Sequence, residues 1–305
     1  MLQIINKRKY TYVASVILVI TSIVLLVTVG LKPGIDFKGG TLMEVQFSEG
    51  EGEELVAIPS NDDVKVGLAE LNLSDLIVQS SENNSFILRY IESNEETNEQ
   101  VMEKLRSLNE NMEQKRVDFI GSSISNQIKK NAIIAVLLAV AGVAFYIAWA
   151  FRKVSYPVPS FEYGMGAIIA LAHDLLIVIG VFVLLGWFMG IEVGIPFIAA
   201  LLTILGYSVN DTIVVYDRIR ENLIKSSKNA DFEEVVNKSI NETIARSINT
   251  SLTVIVVLLA IIFFGGMSIK YFSVALLVGV IFGTYSSVFV ASALLVSSYN
   301  YKKKS

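Results

Sequence analysis

The stretch YGMGAIIALAHDLLIVIGVFVLLGW, from Tyr163 to Trp187, decides the fold of this chain. His173 and Asp174, near its middle, are its only acidic or basic side chains, and most of its other residues are apolar. A helix needs about 20 apolar residues to cross a hydrocarbon core of about 30 Å. The stretch is therefore predicted to be a transmembrane helix.

Five further stretches of the same kind flank it on both sides: Tyr12 to Gly30, Asn131 to Phe151, Val193 to Tyr216, Thr250 to Gly265 and Tyr271 to Ser297. The composition agrees, because 53% of the residues are hydrophobic, 18% are charged and the mean hydropathy is +0.56. No small-residue cleavage site follows the first stretch, so we interpret it as a retained span rather than a signal peptide. The absence of cysteine excludes disulfides, zinc-thiolate sites and cysteine nucleophiles.

Lysine and arginine residues predict the orientation, because short cytoplasmic loops carry an excess of them. They cluster on one predicted side of the membrane, at Lys7 to Lys9, Arg152 and Lys153, Arg218 to Lys228, and Lys302 to Lys304. Both termini are therefore predicted to be cytoplasmic. The resulting layout is a first span within residues 1–30, an extracytoplasmic domain over 31–128, a five-helix bundle over 129–299 with a cytoplasmic loop at 217–249, and a basic tail at 300–305.

The predicted outer segment alternates between strand-like and helical patterns. Its order is strand-like Thr41 to Phe47, helical Asn61 to Leu71, strand-like Leu76 to Ser80 and Ser85 to Ile91, helical Asn94 to Met112 and strand-like Lys115 to Ile120, with an acidic loop at Gly50 to Pro59. The order β-α-β-β-α-β is the ferredoxin-like arrangement. The predicted fold class is an α-helical membrane protein with six transmembrane helices and one ferredoxin-like α+β extracytoplasmic domain.

Acidic and basic groups within a span are costly, so each one indicates a functional site. The third span carries His173 and Asp174, and the fourth carries Asn210, Asp211 and Thr212. An alternative for the first pair is that it makes interhelical hydrogen bonds only. These five residues are the candidates within the spans.

Regular spacing places further polar groups on one face of the fourth and fifth helices. Residues three, four and seven apart share a helix face, which groups Thr203, Tyr207 and Asp211, and also Arg246, Asn249, Thr250 and Thr253. We predict that each helix turns this face toward the interior of the bundle.

Asp211 and Arg246 form the candidate proton-responsive pair. A carboxyl group in a medium of low dielectric favours its neutral form, whereas a nearby guanidinium favours the carboxylate. Asp211 beside Arg246 could therefore gain and lose a proton as the pair separates and closes. The alternative is a static buried ion pair that fixes the helix register.

Small residues recur every four positions along the sixth span, at Ala275, Gly279, Gly283, Ser287 and Ala291. Such a stripe lets two helices approach closely in lipid. It indicates packing within the bundle or, alternatively, contact with a partner subunit.

An apolar stripe also runs between the fourth and fifth spans, at Val235, Val236, Ile240, Ile244 and Ile248. Apolar residues at this spacing among polar ones are typical of an amphipathic helix on a membrane surface. We therefore predict an amphipathic helix at the cytoplasmic interface, with structural anchoring as its role.

Four motifs lie in order along the chain. They are GIDFKGGT (Gly34 to Thr41, including Asp36, Gly39 and Gly40), LAHD (Leu171 to Asp174), GYSVNDTIVVYDRIREN (Gly206 to Asn222) and ETIARSINTSL (Glu242 to Leu252). Together they resemble the signatures of the SecD/SecF family of protein-export subunits, and of its SecF branch in particular. The resemblance extends from the first span to the last.

This resemblance implies a subunit that pairs with SecD into a twelve-span unit of the resistance-nodulation-division superfamily. Such a unit associates with the SecYEG channel in the cytoplasmic membrane of a bacterium, and it uses the proton-motive force to complete the export of polypeptides. YajC-like and YidC-like membrane proteins are further implied partners. By motif position, Asp211 corresponds to the intramembrane proton-responsive carboxylate and Arg246 to its partner.

Two functions of other classes stay open, namely an exporter of small molecules or lipids from the same superfamily and a scaffold that transduces no energy. Enzymatic activity is not expected, since no phosphate-binding loop and no nucleophile beside a base is evident. Neither a cofactor nor a metal site is expected. Nucleic acid is not an expected partner, because basic residues with interleaved aromatics do not cluster.

Overall fold

The computed structural model describes residues 3–49, 57–81, 83–92, 94–152, 158–226 and 230–304. It divides into a membrane unit, of residues 1–32 with 133–305, and an α+β domain of residues 33–132. The helices and strands in chain order are α1 (Arg8–Thr28), α2 (Ile35–Lys38), β1 (Gly40–Phe47), α3 (Asn61–Leu68), β2 (Ile77–Ser80), β3 (Ser85–Tyr90), α4 (Glu95–Leu108), β4 (Met112–Ile120), α5 (Ser122–Ala150), α6 (Ser160–Met189), α7 (Ile195–Lys225), α8 (Phe232–Phe264), α9 (Met267–Ser286) and α10 (Ser292–Lys304).

Six helical segments in the described part of the chain are long and apolar enough to cross a membrane. They are Ile5–Thr28, Ser122–Ala150, Ser160–Met189, Ile195–Lys225, Phe232–Phe264 and Ile269–Lys303. The prediction of six spans is thereby confirmed. The last segment joins α9 to α10 through a π-helical turn at Ser287–Ala291.

Two helices extend well beyond the predicted spans. Helix α7 continues to Lys225, and α8 begins at Phe232, so residues 217–225 and 232–249 of the predicted loop are helical. The predicted amphipathic helix is continuous with the fifth span, because its apolar stripe belongs to the first part of α8. Val236 and Ile240 are fully buried in the core of the membrane unit. The first residues of the stripe therefore pack against protein, whereas Ile248 at its end is 50% exposed.

Close helix contacts in the membrane unit occur where side chains are small. A Cβ added at Gly180 of α6 would lie 2.9 Å from the Cα of Ser22 in α1. On α9, a Cβ at Gly279 would fall within 3.0 Å of the Ile204 side chain, and one at Gly283 would lie 3.2 Å from the Cβ of Ser208. The small-residue stripe of α9 thus lies against α7, because only glycine leaves room for this approach.

The α+β domain is a four-stranded antiparallel sheet in the order β2-β3-β1-β4. With α3 and α4, its elements follow the order β-α-β-β-α-β, which confirms the predicted arrangement. Alternate residues of β1, including Met43, Val45 and Phe47, are buried beneath α3 and α4 with Val64, Leu68, Val101 and Leu105. This alternation is the period of a strand with one covered face.

The GIDFKGGT motif builds the start of the sheet. Gly34 precedes α2, and its carbonyl accepts hydrogen bonds from the backbone N–H of Phe37 and Lys38. Gly39 and Gly40 have φ of +81° and +118°, which L side chains rarely adopt. The hydroxyl of Thr41 donates a hydrogen bond of 2.6 Å to the Glu92 carbonyl. The motif therefore fixes the point at which the chain enters β1.

Turns of the domain depart from the prediction in one place. Helix α4 ends at Leu108 and β4 already begins at Met112, because the Asn109 side chain accepts a hydrogen bond of 2.8 Å from the Asn111 N–H and closes a tight turn.

At the start of α3, hydrogen bonds from the Ser60 N–H and hydroxyl lower the pKa of the Asp63 carboxyl. Residues 50–56 of the predicted acidic loop lie outside the described residues.

Candidate functional site within the membrane helices

Asp174 of α6 occupies the centre of a buried polar cluster. Its side chain is 0% exposed. Its Oδ1 lies 2.9 Å from Nδ1 of His173, and its Oδ2 accepts hydrogen bonds from the hydroxyls of Ser208 at 2.6 Å and Ser286 at 2.7 Å. Ser208 belongs to α7 and Ser286 to α9. One carboxyl group thus connects three helices.

His173 extends this cluster toward α1. Its ring is stacked on that of Tyr285, with centroids 6.1 Å apart, and the Tyr285 hydroxyl lies 3.2 Å from the Ser15 hydroxyl. His173 is only 5% exposed, and its Nε2 has no hydrogen-bond partner among the described residues. Nε2 of the imidazole can therefore bind a proton or form a hydrogen bond with water.

Asp211 forms a second polar centre, between α7 and α8. Its side chain is 9% exposed, and its Oδ1 accepts a hydrogen bond of 2.6 Å from the Ser247 hydroxyl. Its Oδ2 is buried and has no hydrogen-bond partner among the described residues. A buried carboxyl oxygen without a partner is costly in its charged form, so this atom can accept a proton without breaking the bond to Ser247.

Arg246 does not pair directly with Asp211 in this structure. Within the described part of the chain, no ion pair of 4.0 Å or less joins the two residues. Arg246 is exposed instead, and it lines a cleft of about 430 Å³ together with Asp217, Arg218 and Glu242. The direct pair predicted from the sequence is therefore replaced by a hydrogen bond from the neighbouring Ser247.

The predicted inward face of α8 lies one residue away from the observed one. The side chains of Arg246, Asn249, Thr250 and Thr253 are exposed, whereas Ser247 and Ser251 are buried. On α7, Asp211 and Thr212 are buried, but Asn210 and Thr203 are exposed. Each residue turns a helix by about 100°, so spacing alone does not fix which polar face points inward.

Hydroxyl groups lie between the two centres. The Thr212 hydroxyl is 2.8 Å from that of Ser287, in the π-helical turn. The Tyr207 hydroxyl donates a hydrogen bond of 3.0 Å to Ser251, which also contacts Thr284. Because π-helical turns are rare and frequently occur at functional sites, the end of α9 belongs to the candidate site.

Sequence reasoning missed Ser208, Ser247 and Ser286, whose hydroxyls donate to the two buried carboxyl groups. Ser208 lies three residues before Asp211, on the same side of α7, and Ser286 stands beside Ser287 of the small-residue stripe. Serine in an apolar span is easily taken for a packing residue, because it is small. For Ser208 alone, the carboxyl group three residues further along the same helix was an available signal.

Family comparisons agree with the four motifs. Residues 100–301 match the family model described as "Protein export membrane protein SecD/SecF, C-terminal", and residues 24–51 match the SecD/SecF GG motif. The chain is 42% identical to a protein translocase subunit SecF of Thermobaculum terrenum, over 98% of this chain and 95% of that protein. It is 35% identical to the SecF subunit of Haemophilus influenzae, over 94% of this chain and 83% of that protein.

Solved structures show the same similarity in three dimensions. The crystal structure of SecDF from Thermus thermophilus, described as a translocon-associated membrane protein, matches 97% of this chain with a TM-score of 0.80 and 32% identity. A second SecDF structure, in a super-membrane-facing form, matches 99% with a TM-score of 0.68. This chain spans 38% of the first SecDF chain and 39% of the second. From its motifs, its six spans and these relatives, the chain belongs to the SecD/SecF family of protein export membrane proteins.

Proposed function

We propose that this chain is the SecF-type subunit of a bacterial protein translocase, in which it pairs with a SecD-type subunit beside a SecYEG-type channel. In this role it couples the proton-motive force to late steps of polypeptide export across the cytoplasmic membrane, with both termini in the cytoplasm. The single observation that carries the proposal is the buried Oδ2 of Asp211, which has no partner among the described residues. YajC-like and YidC-like proteins are further candidate partners.

Protonation of Asp211 can change the forces between helices. A buried carboxylate is costly unless a cation lies near it, whereas the neutral form needs no cation. Arg246 belongs to the same turn of α8 as Ser247, which donates a hydrogen bond to Asp211. Loss of the proton would therefore draw the Arg246 guanidinium inward. Moving one charge through 100 mV supplies about 2.3 kcal/mol, which is sufficient to bias a two-state element.

Exposed polar side chains on α7 and α8 support a partner within the membrane. Thr203, Asn210, Arg246, Thr250 and Thr253 lie in or next to the predicted spans, yet they are exposed on this chain alone. The three threonine hydroxyls donate to carbonyls of their own helices. Lipid cannot satisfy the Asn210 amide or the Arg246 guanidinium, and such groups usually face protein or a water-filled cavity. A SecD-type subunit that covers this face would enclose the Asp211 site between the two subunits.

Asp211→Asn is expected to abolish the part of late-stage translocation that depends on the proton-motive force, because the amide cannot gain or lose a proton at neutral pH. The measurement is translocation of a stalled export intermediate by vesicles containing the SecYEG channel, with and without an imposed proton gradient. The matched control is Asp217→Asn, six residues along the same helix, since the Asp217 side chain is 68% exposed and lies 3.6 Å from Arg220. Equal stimulation of Asp211→Asn and wild type would contradict the proposal.

Asn210→Trp is expected to displace the SecD-type partner, because an indole at an exposed interface position leaves no room for a second helix. Co-purification in mild detergent should show loss of most of the bound partner. Leu138→Trp is the control, since Leu138 is 67% exposed on the apolar surface of α5. If both variants retain the partner equally, the interface lies elsewhere.

A scaffold without energy coupling is the second candidate, and the absence of a direct Asp211–Arg246 ion pair in the described structure is the observation in its favour. A scaffold predicts that Asp211→Asn is silent, whereas Gly283→Leu is damaging. The leucine side chain would have to enter the contact with Ser208, where a Cβ alone would already lie at 3.2 Å. The two variants together separate coupling from packing.

A further inference from the structure

The α+β domain carries a groove whose lining residues are not part of the candidate site around Asp211. It lies between α4 and β4 and has a volume of about 740 Å³. Met43 of β1 with Val117 and Phe119 of β4 form its floor, and Met102 of α4 lines its wall. The Phe119 side chain is 65% exposed. Phe119 therefore adds an exposed aromatic side chain to the apolar floor of the groove.

The floor of the groove lies along an edge strand. In the described sheet, β4 (Met112–Ile120) is the outermost strand and pairs with β1 on one side only. Its second edge therefore offers backbone N–H and C=O groups to another extended chain. In such a pairing every second side chain of the added strand points to the face that carries Phe119.

The wall of the groove is acidic. Glu95, Glu99 and Glu103 follow one another at intervals of four along α4, so they share a helix face, and all three line the groove. None of them forms an ion pair of 4.0 Å or less with a described basic residue. Arg106, one turn further along, is the described basic residue in the lining. The groove therefore combines an apolar floor with an unneutralised row of carboxylates.

We propose that this groove binds an extended polypeptide segment that carries apolar and basic side chains and adds to β4 as a fifth strand. Backbone hydrogen bonds to β4 would hold the segment, apolar side chains would cover Phe119 and Val117, and lysine or arginine would lie along Glu95, Glu99 and Glu103. The identification of this segment as export cargo rests on the proposed function. An unfolded cargo emerging from a channel supplies extended chain of this kind.

Binding can be measured on the full chain in lipid nanodiscs by fluorescence anisotropy. The probe is a labelled peptide of about ten residues with alternating valine and lysine, long enough to pair along β4. A matched peptide has glutamate in place of lysine. We expect the lysine peptide to bind at least about tenfold more tightly than the glutamate peptide, and its binding to weaken between about 50 mM and about 300 mM salt.

Two groove variants and one control make the test specific. Phe119→Asp should weaken binding of the lysine peptide about tenfold, and the double variant Glu99→Gln/Glu103→Gln should weaken it about fivefold and reduce its salt dependence. Val66→Asp should leave binding unchanged, since Val66 is 73% exposed on α3, outside the lining of the groove. Equal binding by all four proteins, or preference for the glutamate peptide, would overturn the proposal.

A photo-reactive phenylalanine analogue identifies the occupant during export. Placed at Phe119 in the assembled translocase, it should capture a stalled cargo chain, whereas the same group at Val66 should not. Capture of the SecD-type subunit alone would show a groove that serves an interface between subunits, contrary to the proposal. The groove proposal and the coupling proposal can fail independently. The peptide assay measures binding to the groove, and it can be carried out on Asp211→Asn whether or not that variant shows a defect in export.

Discussion

Gly40→Ala is expected to destabilise the α+β domain by about 3 kcal/mol or more, a large part of the stability of a small domain. Gly40 has a φ of +118°, and a Cβ there would lie within 3.0 Å of the Tyr90 carbonyl oxygen and 3.2 Å from the Cα of Ile91. Both obstacles are backbone atoms, one in Tyr90 at the end of the adjacent strand β3 and one in the residue that follows it, so no side-chain rotation relieves them. Relief requires β1 and β3 to separate.

Hydrogen exchange of the β1 and β3 amides in the full chain measures this effect. Loss of protection in these strands is expected, with little change in the amides of the membrane unit. Gly121→Ala is the matched control, because a Cβ built at Gly121 has no heavy atom within 4 Å apart from those of Gly121 and its two chain neighbours. Wild-type protection in Gly40→Ala would show that the sheet tolerates a side chain at this position.

Asp174→Ala is expected to destabilise the membrane unit by about 3 kcal/mol, through the loss of a shared hydrogen-bond acceptor and the cavity that remains. His173, Ser208 and Ser286 would each lose their contact with the carboxyl group. Ser286 has an alternative acceptor in the Gly283 carbonyl, at 3.1 Å. The main penalty therefore falls on His173 and Ser208.

Thermal unfolding in detergent, followed by tryptophan fluorescence or aggregation, measures this loss. Asp174→Asn keeps the volume and one acceptor oxygen, so it should recover part of the stability. Asp217→Ala should change stability by less than about 1 kcal/mol, because an exposed ion pair contributes little. An Asp174→Ala protein as stable as wild type would indicate that water fills the site and replaces the carboxyl group.

Much of the fold followed from local pattern. The six spans follow from uninterrupted apolar stretches such as Tyr163 to Trp187, because a bilayer accepts only segments of sufficient length and low polarity. The β-α-β-β-α-β order followed from the switch between periods of two and 3.6 residues. The extent of α7 and α8 did not follow, because each helix continues beyond its apolar span into a segment rich in polar residues. Such a segment resembles a surface helix in sequence, although apolar residues within it, including Val236 and Ile240, pack on protein.

The candidate site was only partly predictable. His173, Asp174, Asp211 and Thr212 are buried as their position in apolar spans indicated. Arg246 and Asn210 are exposed, and the Ser247 hydroxyl occupies the place beside Asp211 that was expected for the Arg246 guanidinium. The roles of all these residues in proton coupling stay predictions until the Asp211 variants are measured.

By itself, the sequence of this protein determined which segments enter the bilayer, how the strands and helices of the α+β domain alternate, and which carboxyl groups lie within spans. Those properties depend on length, polarity and period along one segment. The tertiary structure alone decided that Asp174 joins α6, α7 and α9, that Asp211 bonds to Ser247, and that β4 leaves an acidic groove open. These depend on the rotation of each helix about its axis and on distances between segments far apart in sequence, which no local pattern contains.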